Sequence, residues 1–217
     1  MKKKFITVLA SICLVLSMFT VSVADIKDND VAQLIPGEEN TVEITYNEYI
    51  NLMAKANGIT KSEAIARDKQ DTSNKISNIM MRSNGLAPKS SGTKYYKASK
   101  TFTYSGNKQF KAKSEATIKL MGAGSMYEIT DVTGVWTVGV DGLYAWEWNQ
   151  LSAWTSGQTQ KRVDIGGSGV FTVTRGLSGG VSVPLDGFSI SGSVSGQTKY
   201  TSKSMQMSWT WGNPYIK

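Results

Sequence analysis

From Lys94 onward apolar and polar residues alternate with a period of two. Turn signals recur at Ser105-Gly106-Asn107, Asp141-Gly142, Ser156-Gly157, Gly166-Gly167, Gly179-Gly180 and Asp186-Gly187. Short alternating runs punctuated in this way specify antiparallel strands with one face toward a core and one toward solvent. The expected fold class is mainly β, an antiparallel β-sandwich or curled sheet, preceded by a small helical hairpin. No disulfide can staple it, because the single cysteine, Cys13, lies in the N-terminal leader. Core burial and ladder hydrogen bonds must therefore hold the domain together.

The leader has Lys2, Lys3 and Lys4, then an uncharged stretch from Phe5 to Val23, then the small residues Ser22 and Ala24 around Val23. This three-part pattern is that of a signal peptide over residues 1–24, cut between Ala24 and Asp25, and the expected location is extracellular. A membrane anchor is the competing reading, but Thr7, Ser11, Ser17, Thr20 and Ser22 dilute the apolar run.

Charge divides the remainder. Residues 25 to 86 carry ten acids against seven bases, whereas residues 87 to 217 carry fourteen bases against seven acids and all six tryptophans. Residues 25–82 form an acidic N-terminal segment, either a helical support or a removable pro-region. Its start, Asp25 to Asn40, is expected to be irregular because Pro36 and Gly37 interrupt it. Thr45 with Glu48 and Thr60 with Glu63 each match a capping box opening a helix, and Gly58 sits where the first helix should stop. Residues 83–93 have a linker composition, with Arg82 and Lys89 as candidate processing sites. Residues 94–217 form the basic β domain. A cationic exported domain is drawn to an anionic bacterial membrane or cell-wall polymer, whereas nucleic acid is a less accessible partner outside a cell.

Turn geometry tests the strand register. A two-residue loop at Asp186-Gly187 pairs Leu185 with Phe188 and Val183 with Ile190, and Pro184 places this hairpin at a sheet edge. A two-residue loop at Asp141-Gly142 puts Tyr144, Trp146 and Trp148 in one row. Trp209 and Trp211 repeat the arrangement near the C-terminus. These five rings either fill the core of a sandwich or face outward to contact sugar rings or a bilayer headgroup zone. A hairpin closed at Ser105-Gly106-Asn107 carries Lys94, Lys97, Lys100, Lys108, Lys111, Lys113 and Lys119, opposed only by Glu115, as a candidate cationic surface. Lysines on an edge strand also guard against edge-to-edge aggregation.

The chain contains no histidine, no phosphate-binding glycine loop and no calcium loop of acids. No metal, cofactor or catalytic residue is assigned, and an enzyme is not expected. The layout of signal, acidic pro-region, small linker and cationic aromatic domain resembles the precursors of large secreted bacteriocins from Gram-positive bacteria. That resemblance implies an antibacterial protein activated by cleavage near the linker. The leading expectation is a secreted cationic antibacterial protein that binds, and permeabilises, bacterial envelopes. Its rivals are a non-enzymatic carbohydrate or cell-wall binding module and a surface protein that self-assembles through its β edges, so oligomerisation stays open.

Overall fold

A computed structural model describes residues 33–82, 92–123, 126–140, 146–176, 185 and 187–216. The described residues belong to one compact unit spanning Ala32–Lys217. Nine strands and two helices follow in the order β1 (Leu34–Ile44), α1 (Tyr46–Asn57), α2 (Lys61–Arg82), β2 (Gly92–Tyr104), β3 (Lys111–Ala123), β4 (Met126–Gly139), β5 (Trp146–Ser156), β6 (Arg162–Gly176), β7 (Phe188–Val194), β8 (Gln197–Ser202) and β9 (Met205–Gly212). The fold is antiparallel β in two packed sheets, as the alternation required. Sheet A has the order β1-β2-β3-β4, and sheet B the order β5-β6-β8-β7 with β9 also on β6.

Both capping boxes form. In α1 the Thr45 side chain accepts from the Glu48 N–H while Glu48 accepts from the Thr45 N–H at 2.8 Å, and Thr60 and Glu63 repeat the exchange. Each pair satisfies donors that a helix start leaves orphaned. Gly58, at φ +61°, ends α1 in the left-handed conformation that costs glycine nothing.

The segment before α1 departs from expectation. Instead of an irregular lead, Leu34 to Ile44 form the edge strand of sheet A, paired with β2 from Leu34↔Tyr104 to Ile44↔Tyr95. The register shifts between Pro36 and Glu39, and a proline is tolerated there because an edge strand has a side that owes no ladder bond. The acidic segment is thus built into the sandwich. The linker expected at 83–93 falls outside the described residues except for Gly92 and Thr93, which already belong to β2.

The hairpin at Ser105-Gly106-Asn107 closes β2 on β3 in continuous register from Thr103↔Lys111 to Gly92↔Gly122. The hairpin expected at Asp141-Gly142 does not form a ladder. The dipeptide itself lies outside the described residues, but β4 closes one edge of sheet A while β5 closes an edge of sheet B, so the two strands belong to different layers. Side chains bridge the two strands instead: the Thr137 N–H donates to Gln150 Oε1 at 2.6 Å, and Trp148 Nε1 donates to Thr137 Oγ1 at 2.9 Å. Gly166-Gly167 is no turn either, for it lies in the middle of β6. A Cβ on Gly166 would come within 2.3 Å of the Trp154 ring, and one on Gly167 within 2.6 Å of the Ser152 carbonyl oxygen, so these positions serve close approach. Of the Asp186-Gly187 hairpin, only the Phe188 N–H to Leu185 carbonyl bond lies among the described residues, and β7 beyond it is an edge strand.

The core lies between the sheets. Tyr96, Ala98, Phe102 and Tyr104 of β2 and Ile118 and Leu120 of β3 face Val163, Ile165, Phe171 and Val173 of β6 and the alternate residues of β9. A second, smaller cluster of Tyr49, Ile50, Met53, Ala54 and Ala64 joins the helices to the other face of sheet A.

Candidate functional site

Four of the five aromatic candidates lie on described strands, and Tyr144 is outside the described residues. Trp146, Trp209 and Trp211 are buried, with Trp211 only 2% exposed, and Trp148 is half-buried against the same core. The four described rings form no outward row. Trp209 and Trp211 pair across β9 and β6 with Ile165 and Val163, whose side chains are themselves fully buried. Trp146 and Trp148 pack on Phe171 with ring centroids 5.4 and 4.8 Å apart. Indoles this large stabilise most by filling the layer between the sheets. Trp211 Nε1 donates to Thr41 Oγ1 of β1 at 3.1 Å, whereas the Trp146 and Trp209 N–H groups have no acceptor among the described residues.

The seven candidate lysines separate into two groups. Acids of the N-terminal segment take three of them. Lys94 lies 3.5 Å from Glu43 and Lys100 lies 3.6 Å from Glu39, both across the β1–β2 ladder. Lys119 is no surface residue, since it is 2% exposed and its Nζ donates to Asp68 Oδ1 at 2.5 Å and Thr72 Oγ1 at 2.6 Å of α2. Register dictates this, because Lys119 stands opposite Tyr95 and Asp131 on the sheet face that the helices cover.

The other four lysines share the part of that face, and the adjoining turn, beyond the helices. Lys97 and Lys113 flank the buried Glu115 carboxylate at 3.2 and 2.6 Å, and Trp136 Nε1 donates to the same carboxylate at 2.6 Å. Burial opposes the charge on Glu115, but the hydrogen bonds from Lys113 and Trp136 and the nearby Lys97 outweigh it, holding the carboxyl below its ordinary range. Trp136 folds over Gly134, which adopts φ +60° where the β3–β4 register shifts. Lys108 and Lys111 are exposed and have no carboxylate partner among the described residues. The patch is therefore two lysines sharing one carboxylate that an indole also holds, with Lys108 and Lys111 exposed toward the turn.

A cleft of about 490 Å³ opens where α1 and α2 meet the start of β2. Tyr46, Tyr95 and Thr93 line one side, and Asp68, Lys69 and Thr72 the other. The Tyr46 and Tyr95 rings are 5.5 Å apart, and Tyr95 packs on Tyr49 at 4.5 Å. Burial, with the Asp68 charge beside it, pushes the Tyr95 hydroxyl up to about 12. Behind the cleft, the buried Tyr49 hydroxyl donates to Asp131 Oδ2 at 3.2 Å. Sequence reading took these helices as a support or a removable pro-region, because nothing local shows that Asp68 meets a lysine 51 positions away.

Trp154 was also missed. It is 39% exposed and lies over Gly166 on the outer face of sheet B, beside Ser208 and the Thr210–Asp164 hydrogen bond. Simple alternation would put it on the same side as Trp148, but the register shift between Gln150 and Ser152 reverses the face. Its one sequence signal is the glycine directly opposite.

The cleavage positions Ala24 and Asp25 and the candidate processing residue Lys89 lie outside the described residues, while Arg82 ends α2. Among the described residues no helix is long and apolar enough to cross a membrane, and no three acids gather as metal ligands. No family model, curated protein or solved structure matches this chain.

Proposed function

We propose that this is a secreted, non-enzymatic protein that binds the anionic envelope of bacteria and acts against them in the manner of a bacteriocin. The observation that carries this reading is the lysine patch on the outer face of sheet A. The N-terminal acids compensate Lys94, Lys100 and Lys119, so the hairpin's excess positive charge falls to Lys97 and Lys113, which share the one Glu115 carboxylate, and to Lys108 and Lys111, which have no carboxylate partner among the described residues. Such a patch attracts anionic headgroups or polymers by charge, at about 1 kcal/mol per lysine near the surface. Contact is electrostatic here, since Trp146, Trp209 and Trp211 are committed to the core.

Cosedimentation of the full chain with phosphatidylglycerol-containing and neutral vesicles tests this. Binding is expected only to the anionic vesicles, falling steeply as salt screens the charges. The triple variant Lys108→Gln, Lys111→Gln, Lys113→Gln is expected to bind on the order of 100-fold more weakly and to lose inhibition of neighbouring bacteria. Equal binding to neutral vesicles, or a triple variant that binds as well as the parent, would overturn the reading.

A second reading is glycan binding, favoured by the exposed Trp154 indole lying on a polar sheet face. Salt-insensitive binding to purified wall polysaccharide that is lost in Trp154→Ala would move the assignment there.

A further inference from the structure

Two faces of the cleft beside α2 differ in chemistry. Tyr46, 40% exposed, and Tyr95 present ring surfaces. Thr93 offers a hydroxyl beside these rings; across from it, Thr72 offers another, and the Asp68 carboxylate is held by Lys119 and by the Tyr46 hydroxyl. The volume of about 490 Å³ falls within the range of small-ligand sites, roughly 300–1,000 Å³.

Charge narrows the ligand. A buried carboxylate would draw a cation, but Asp68 is 5% exposed and already neutralised by the equally buried Lys119. A free cation would have to compete with a partner 2.5 Å away, and Lys69 on the rim repels it further. An anion would meet Lys69 but also the Asp68 carboxylate. A neutral ring with hydroxyls on its edge and C–H bonds on its face fits both walls. Its faces pack on tyrosine, while its hydroxyls exchange hydrogen bonds with the threonines.

We propose that this cleft is a binding site for a neutral sugar ring, of the pyranose class found in cell-surface glycans. The Lys119–Asp68 pair acts as its rigid floor, since each charge holds the other in place and Thr72 holds the lysine. The site is independent of the lysine patch and of Trp154. It would give an envelope-binding protein a means of choosing among surfaces that all carry negative charge.

Saturation-transfer NMR on the full chain tests the proposal with free glucose, galactose, mannose and N-acetylglucosamine, and with choline and inorganic phosphate as charged probes. At least one sugar is expected to receive saturation on its ring protons. Tyr46→Ala, a change at an exposed ring, and Thr93→Val are each expected to weaken that signal by tenfold or more, and Trp154→Ala to leave it unchanged. Loss of the anionic-vesicle binding in the lysine triple variant with the sugar signal intact would show that the two sites are separate. The proposal is overturned if none of the four sugars binds, if the signal survives both cleft variants, if it disappears with Trp154→Ala, or if choline or phosphate binds at the cleft instead.

Discussion

Trp211→Ala is expected to lower the unfolding free energy by about 3–5 kcal/mol and the melting temperature by about 10 °C. The indole is 2% exposed and packs near Tyr96, at a centroid distance of 6.2 Å. Its removal leaves a cavity between the sheets and frees Thr41 of its hydrogen bond from β9. Trp211→Phe keeps most of the volume and should cost less than half as much. Thermal and urea unfolding of the three proteins decide the matter. A loss below about 1 kcal/mol for the alanine variant would mean that the ring contributes little to the core, contrary to its burial.

Lys119→Met should be nearly as damaging for a different reason. The change removes a charge from a buried pair and strands the Asp68 carboxylate, 5% exposed, without its partner. Breaking such a pair from one side costs about 3–5 kcal/mol, whereas replacing both members by apolar groups is often neutral. Lys119→Met combined with Asp68→Leu is therefore expected to recover most of the loss. A double variant as unstable as the single would show that the damage came from packing at Lys119 rather than from the stranded charge.

The first prediction concerns a ring whose side sequence reading left open and the second a lysine that it put on the surface, and the reason is the same. The capping boxes at Thr45 and Thr60, the stop at Gly58 and the hairpin at Ser105-Gly106-Asn107 were legible because each depends on residues only a few positions apart. Whether an alternating strand buries its even or odd positions depends on what packs against it. The outward or inward choice for Trp209 and Trp211 is made by the opposing sheet, and the fate of Lys119 by a helix far back in the sequence. Register shifts add a second limit. One extra residue near Gln150 sends Trp154 to the opposite face from Trp148, and nothing local marks the place. Asp141-Gly142 misled for a related reason, since a turn dipeptide indicates a change of direction without saying whether the next strand stays in the same sheet.

The pairing of β1 with β2 bears on what proteolysis could achieve. A cut between Arg82 and Gly92 would sever the chain without separating its parts, because the severed N-terminal piece keeps its place through the β1–β2 ladder, the Trp211–Thr41 bond and the buried Lys119–Asp68 pair. The product would be a nicked, two-chain complex that elutes as one species in gel filtration and resolves into two bands only after denaturation. Activation by cleavage would then require a second event, at the target surface, that pulls a strand out of a finished sheet.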